Sequence, residues 1–499
     1  MIELRDNPHI YEINLMTWLH DLSQRENQLI TLKNIPVKEW RYLKELGMDL
    51  IWLMGMWERS SDSTARAQKE PNLVDGCRQI LKDFEINDII GSPYAIHDYR
   101  PDSIFGSFED LSDLKNTLEE EGLGLILDFV PNHTACDHPW ITEHPDRYIE
   151  SSPTSTVCQK GFFAFGNPPN QRCFAHGKDP YFHPWTDTAQ INYETHGTLE
   201  AMTEILIDLA QYCHGFRCDM AMLILKDIFL ETWGPYLNKP ADIEEFWPYA
   251  INRLKNSGVQ CELMAEVYWG KDETLLDYGF DYVYDKHLYD LMNEGSIEKI
   301  KTYISMPPEK HQKMLRFLEN HDEERAISVF GAERIRSAML IHATLPGMRF
   351  WHHGQIEGRL HRVPVQLKRA PHEDSNMDLL TFSQALLKQV DHSVFHEGAF
   401  EIFSTHGWSD NESHVNLMAW GWEMKKERRL IVVNFSAHSA QGYVTLPKGW
   451  QVFPQSLVFR DPIKGDFFNR VPTEIDNEGL FIALEKGDFH FFIIEGNKR

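Results

Sequence analysis

From residue 10 to about residue 350, short runs of Ile, Val, Leu and Phe alternate with longer amphipathic stretches. This is the pattern of repeated strand–helix units wound around a parallel sheet, whose strands are apolar on both faces. The runs at 11–16, 50–54, 123–130, 215–219, 261–267, 280–284, 314–319 and 348–351 predict eight strands. Between them, 36–46, 108–121, 199–212, 243–254 and 332–345 predict helices, the first opened by Pro36, a residue suited to a first helical turn. Eight such units close into a (β/α)8 TIM barrel more readily than they form an open sheet, and a barrel carries its chemistry at the carboxyl ends of its strands.

Two segments depart from this rhythm. Residues 134–193 carry Pro, Gly, Asn, His and aromatic residues without helical periodicity, and so long an insertion after the third strand reads as a small functional domain on one wall of a cleft. Beyond about residue 395 the chain becomes a series of short β-like runs at 400–403, 416–422, 430–434, 441–445, 479–484 and 489–494, separated by turn residues. The expected organisation is therefore a barrel over 1–133 and 194–394, an inserted subdomain over 134–193, and a C-terminal antiparallel β-sandwich domain over 395–499.

Composition narrows the function. The 499 residues hold 49 Lys and Arg against 75 Asp and Glu, a net charge of −26, which repels polyphosphate and weighs against nucleic acid or an anionic membrane as partner. The start of the chain is interrupted by Glu3, Arg5, Asp6 and Glu12, and no window is long and apolar enough to span a bilayer. The seven cysteines lack metal-ligand or paired spacing, so reduced thiols in a cytoplasmic protein are expected, with no zinc site. Trp and Tyr number 14 and 17; such rings serve packing, and they also serve as flat platforms for sugars.

Four predicted strands end in clustered polar residues: Asp128, Asn132 and His133 after the third, Arg217 and Asp219 on the fourth, Glu266 on the fifth, and Glu319, Asn320, His321 and Asp322 after the seventh. A lone Asp at a strand end is usually a cap and a lone His usually structural, but several acids converging on one mouth suit acetal cleavage. That reaction needs one carboxyl to protonate the leaving oxygen and another, about 5–5.5 Å away, to attack the anomeric carbon with retention. Asp219 and Glu266 lie on adjoining strands. Arg217, two residues before Asp219 on the same face, is expected to lower the Asp219 pKa, while Leu263, Val267, Trp269 and the charge of Asp219 raise that of Glu266.

At these residues the chain resembles the α-amylase superfamily of retaining α-glycosidases. The matching motifs are Asp128-x-x-x-Asn132-His133, Gly215-x-Arg217-x-Asp219, Glu266 with a following aromatic, and Asn320-His321-Asp322. The resemblance implies Asp219 as nucleophile, Glu266 as acid/base and Asp322 as transition-state stabiliser, with Arg217, His133 and His321 on the sugar. Tyr94 resembles the tyrosine that stacks on that sugar, with Asp98 supporting Arg217 or the loop. Trp185 and Trp351 are candidate platforms or core residues. The chain departs from the family where Met222 and Leu223 replace a common Lys-His pair, which implies a different acceptor side. It departs again at Gln190, which stands where many relatives offer an Asp to calcium; no metal or other cofactor is expected, and Asn132 is read as structural. The implied function is hydrolysis of α-glucosidic bonds in oligosaccharides or glucans. The alternatives are trehalose- or sucrose-related transglycosylation and a non-catalytic carbohydrate-binding relative.

Overall fold

The structure is a computed structural model that describes residues 3–151, 158–167, 169–239, 243–450 and 457–496. Eight parallel strands form its centre: β1 (His9–Asn14), β2 (Leu50–Met54), β3 (Gly124–Phe129), β4 (Gly215–Cys218), β5 (Glu262–Ala265), β6 (Tyr282–Tyr284), β7 (Met314–Arg316) and β8 (Met348–His352). Each pairs with the next and β8 pairs with β1, closing the barrel. Inward residues such as Ile10, Trp52, Ile126, Met264, Leu315 and Phe350 fill the interior, while outward ones such as Ile51, Leu125, Phe216 and Leu263 pack under the helices. That double burial is why the strands read as unbroken apolar runs rather than alternating ones. Gly215 starts β4 because nothing larger fits: a Cβ there would lie 2.4 Å from the Glu262 carbonyl oxygen.

Two boundaries have local causes. The first strand stops at Asn14, not at 16, because the Asn14 side chain accepts from Thr17 N at 3.3 Å and caps the helix Leu15–Glu26. The helix Ala326–Thr344 is broken at Gly331 (φ 66°, ψ 171°), so its regular part starts where the pattern of apolar residues does.

Between β3 and β4 the chain makes an inserted lobe, in which His133–Ala135 pairs with Thr188–Gln190 and Phe162–Phe165 pairs with Arg172–Ala175. Residues 152–157 and 168 of the expected insertion lie outside the described residues. The expectation of seven reduced thiols fails here: Cys158 and Cys173 form a disulfide, with Cα atoms 5.6 Å apart, and the other five cysteines are free. A hairpin brings the two together across 15 residues, a spacing without a recognisable motif.

The C-terminal region is a six-stranded and a three-stranded antiparallel sheet, enclosing a core of Leu417, Leu430, Val432, Phe459, Leu480 and Ile482 among others. It docks on the barrel through Trp420 and Trp422, whose indoles donate to Thr344 Oγ1 and O at 3.1 and 2.7 Å. The strands Leu457–Asp461 and Asp466–Arg470 and the helix Pro472–Glu478 were not anticipated. Among the described residues no helix is long and apolar enough to cross a membrane.

Candidate active site

Register decides which side chains meet at the barrel mouth. β3 and β4 align Asp128 with Arg217, and β4 and β5 align Cys218 with Ala265. Asp219 and Glu266, each one residue beyond that last pair, therefore stand side by side. Side chains alternate along a strand, so Arg217 and Asp219 both face inward, while Cys218 turns to the helices.

Arg217 organises the cluster. Its Nη1 donates to Asp219 Oδ1 at 2.7 Å and lies 3.7 Å from Asp128 Oδ1; its Nε donates to Tyr284 Oη at 3.2 Å. Its Nη2 stands 2.7 Å from Glu266 Oε2, out of line for a hydrogen bond. The Trp52 and Tyr94 rings flank the guanidinium at 5.2 and 5.3 Å. Glu266 also accepts from Tyr268 Oη at 2.9 Å and from Met220 N at 2.7 Å. Met220 makes that contact from the left-handed region (φ 42°), a conformation a non-glycine residue holds only where its surroundings impose it.

Burial raises the pKa of both carboxyls above the ordinary range, against the lowering pull of Arg217. For Asp219 this reverses the expected net direction, because a site this enclosed penalises charge more than one shared guanidinium repays. Arg217 gives its aligned hydrogen bond to Asp219, and the pKa of Glu266 is raised further by Asp219 and Asp322. Asp128 is pushed up to about 6 by burial.

The loop after β7 supplies the opposite wall. Asn320 Oδ1 accepts from the backbone N of Asp322 and of Glu323, both at 2.9 Å, which holds the turn. His321 Nε2 lies 3.1 Å from Asp322 Oδ2 and 2.9 Å from Tyr94 Oη, and the Tyr94 and His321 rings stack with centroids 5.4 Å apart. Asp322 is 57% exposed toward the mouth, and it is lowered to about 2 by His321 and Arg217, which outweigh its desolvation. His133 packs its ring 5.2 Å from that of Trp185 and is lowered by burial to about 4, so it is neutral.

Six of the eight predicted residues thus converge at Arg217, and His133 adjoins them only at the Tyr94 backbone. Asp98 does not: it lies in the strand Ile96–Pro101, 3.6 Å from Arg100 Nε, and lines a side cavity of about 450 Å³ with Phe108, Trp140 and Tyr212. It makes no contact with Arg217 because the strand carrying it leaves the barrel to pair with Trp57–Arg59. Trp351 is core, fully buried and donating to His9 Nδ1 at 3.1 Å. Sequence reading missed Trp52, Tyr268 and Tyr284, and it missed Glu12 beneath His321. Trp269, read from the sequence as part of the apolar setting of Glu266, is 37% exposed and forms a rim with Tyr181 (62%) and Phe182 (73%), which sequence reading missed; the Tyr181 and Trp269 rings lie 4.9 Å apart edge to face. Met222 and Leu223 are buried in the turn Ala221–Ile224 and present nothing to the cleft.

The oxygen shell around Asn132 does not fit a cation. Gln190 Nε2 donates to Asn132 O, Asn132 Oδ1 and Ile191 O at 2.9, 3.0 and 3.2 Å. An amide nitrogen at the centre of three oxygens fills the place where a hard cation would need charged oxygen ligands. Among the described residues no group of three or more His, Cys, Asp or Glu is placed to hold a metal.

An alpha-glucosidase of Apis mellifera is 27% identical over 326 residues, which cover 55% of this chain and 56% of that protein. An amino acid transporter heavy chain of Rattus norvegicus is 27% identical over 362 residues, 61% of this chain and 50% of its own. The chain thus spans about half the length of these curated relatives. The crystal structure of a maltogenic alpha-amylase from Thermotoga neapolitana superposes with a TM-score of 0.67 over 98% of both chains at 17% identity, a likeness of fold. The sequence profile of the alpha-amylase catalytic domain matches residues 32–393, which include Tyr94 and every polar residue converging on Arg217 except Glu12, and the chain belongs to the alpha-amylase family.

Proposed function

We propose that the protein is a retaining α-glycosidase acting on α-glucosidic bonds of oligosaccharides or glucans. The observation that carries this reading is the pair of carboxyls on adjoining strands, Asp219 aligned on Arg217 and Glu266, its pKa raised by burial, beside it. Asp219 Oδ attacks the anomeric carbon while Glu266 gives its proton to the departing glycosidic oxygen, and a covalent glycosyl–Asp219 ester forms. Glu266, now a carboxylate, takes a proton from an incoming water, whose oxygen bonds to the same carbon and releases Asp219. Asp322 stabilises the positive charge that builds on the ring, Arg217 holds Asp219 as the attacking carboxylate and binds the sugar, and Tyr94, His133 and His321 line the ring's pocket. With Gln190 occupying the Asn132 oxygens, catalysis is independent of calcium.

The exposed Tyr181, Phe182 and Trp269, following Glu266 or facing it from the inserted lobe, suit a sugar on the leaving-group side. That rim favours transglycosylation as the second reading, in which a sugar hydroxyl replaces water in the second step. The test is hydrolysis of an aryl α-glucoside by the native protein and by Asp219→Asn, with product configuration followed by proton NMR. An α-configured first product and a loss of at least about a thousandfold in the variant support the proposal; equal rates exclude Asp219 as nucleophile. Larger products from maltose alone identify the transferase. Absence of turnover on every α-glucoside, with sugar still bound, identifies a non-catalytic relative.

A further inference from the structure

β1 contributes one buried charge to the site. Glu12 is fully buried, and its register partners are Trp52 on β2 and His352 on β8. It shares the inward face with Ile10, an apolar neighbour that offers no hydrogen bond. Its Oε1 lies 2.5 Å from His321 Nδ1, while its Oε2 has no hydrogen-bond partner and stands 3.8 Å from His352 Nε2. On the other edge of the same ring, His321 Nε2 faces Asp322 Oδ2 at 3.1 Å and Tyr94 Oη at 2.9 Å.

A neutral imidazole has one N–H and one lone pair. If the proton sits on Nε2, the lone pair of Nδ1 points at the Glu12 carboxyl 2.5 Å away, acceptor against acceptor in a buried site, where an unmade hydrogen bond costs most. If it sits on Nδ1, the lone pair of Nε2 can accept from the Tyr94 hydroxyl, but Asp322 Oδ2 then faces that lone pair at 3.1 Å with no proton between them. The doubly protonated ring satisfies both edges. We infer that Glu12 is a positioning residue of this site: from beneath the sugar pocket it holds His321 as a fixed imidazolium whose Nε2–H is presented to Asp322 and to the mouth.

The groups facing His321 agree with that assignment. They are Glu12 from β1, Asp128 from β3, Asp219 from β4, its neighbour Asp322, the Tyr94 hydroxyl, His352 beyond Glu12, and the edge of the Trp52 ring at 5.6 Å. Acids outnumber cations here even with the Arg217 guanidinium, which acts on Asp128, Asp219 and Asp322, and the ring is raised well above the ordinary histidine range by Asp322 and Glu12 despite its burial. A cation fixed in this position adds to the donors already aimed at the ring hydroxyls and keeps Asp322 ionised, at no cost of reorganisation during the reaction. The charge on His321 is independent of the proposed glycosidase activity; its effect on rate rests on that activity.

The test uses the full chain labelled with 15N-histidine, the His321 signals being assigned by their loss in His321→Gln. In the native protein both ring nitrogens should stay protonated from pH 5 to beyond pH 8. In Glu12→Gln, whose amide can donate to Nδ1 and so accept a neutral ring, one proton should leave at least one pH unit lower. Glu12→Asp, which keeps the charge, should restore the native titration in part. The alkaline limb of kcat/KM in Glu12→Gln should move down by the same amount, a loss of about tenfold per unit at pH values where the native rate is flat. A native His321 that is neutral at pH 7, or a Glu12→Gln titration that coincides with the native one, overturns the inference whether or not the protein cleaves a glycoside. If Glu12→Gln fails to fold, the native titration alone still decides.

Discussion

Replacing Gln190 by Glu is the sharpest test of how the inserted lobe is held to the barrel. The substitution keeps the shape of the side chain and exchanges one atom, the Nε2 that donates to Asn132 O, Asn132 Oδ1 and Ile191 O. The NH2 has two N–H groups for these three acceptors, so two hydrogen bonds at roughly 1 kcal/mol each come to about 2 kcal/mol, and an oxygen left facing buried acceptors adds about 1–3 kcal/mol. The variant should therefore lose about 3–5 kcal/mol. Unfolding entropy of about 2.1 cal/mol/K per residue over 499 residues is about 1 kcal/mol/K, so the melting temperature in a chelating buffer should fall by about 3–5 °C. Calcium should then return part of the loss to the variant alone, because the new carboxylate completes a shell of oxygens; a concentration a hundredfold above Kd returns about 2.7 kcal/mol. Differential scanning calorimetry with chelator and with millimolar calcium reads both effects. A native protein that calcium stabilises, or a variant as stable as the native one in chelator, would refute the reasoning.

Three further outcomes are expected. Trp269→Ala should raise KM for maltoheptaose about fivefold to tenfold, the value of about 1–1.4 kcal/mol from a lost aromatic platform, and leave kcat on an aryl glucoside within about twofold; equal effects on both substrates would remove the rim from the acceptor side. His133 is neutral in the fold, near 4 against an ordinary 6.5, so the unfolded chain alone takes up its proton between those values. Stability due to this group is then complete above pH 6.5 and falls by about 3 kcal/mol as pH drops to 4; His133→Asn should flatten that part of a urea-midpoint profile, and an unchanged slope would contradict a buried neutral ring. Titration of the denatured, unreduced protein with a thiol reagent should count five sulfhydryls and, after reduction, seven; seven before reduction would remove the Cys158–Cys173 bond.

Much of the scaffold was legible because the barrel strands are buried on both faces and announce themselves as apolar runs ending in polar clusters. Asp219 and Glu266 were legible for the same reason, since adjoining strands place their ends together whatever the loops do. Glu12 was not, because one acid in an apolar run looks like a charge that breaks a leader; the available signal was its parity with Ile10 on the face that fills the barrel. The Asp466–Arg470 strand escaped because it is a largely exposed edge whose two apolar residues, Phe467 and Phe468, are adjacent rather than alternating. The Asp98–Arg217 contact failed for a different reason: four residues of separation from Tyr94 say nothing of direction, and the strand between them turns away from the mouth. Burial also reversed a sign that charge pairing alone had set for Asp219, since pattern reveals neighbours more readily than it reveals depth.

The aromatic walls around Arg217 carry one more consequence. With Trp52, Tyr94 and Tyr284 packed about it, the guanidinium has nowhere to swing, and a flexible ammonium on an unbranched stem could not be gripped in the same way. The hard part of the chemistry is thereby anchored below the level at which substrates differ. Loops above it are free to be lengthened, trimmed or repainted for another sugar while the proton inventory underneath stays as it is.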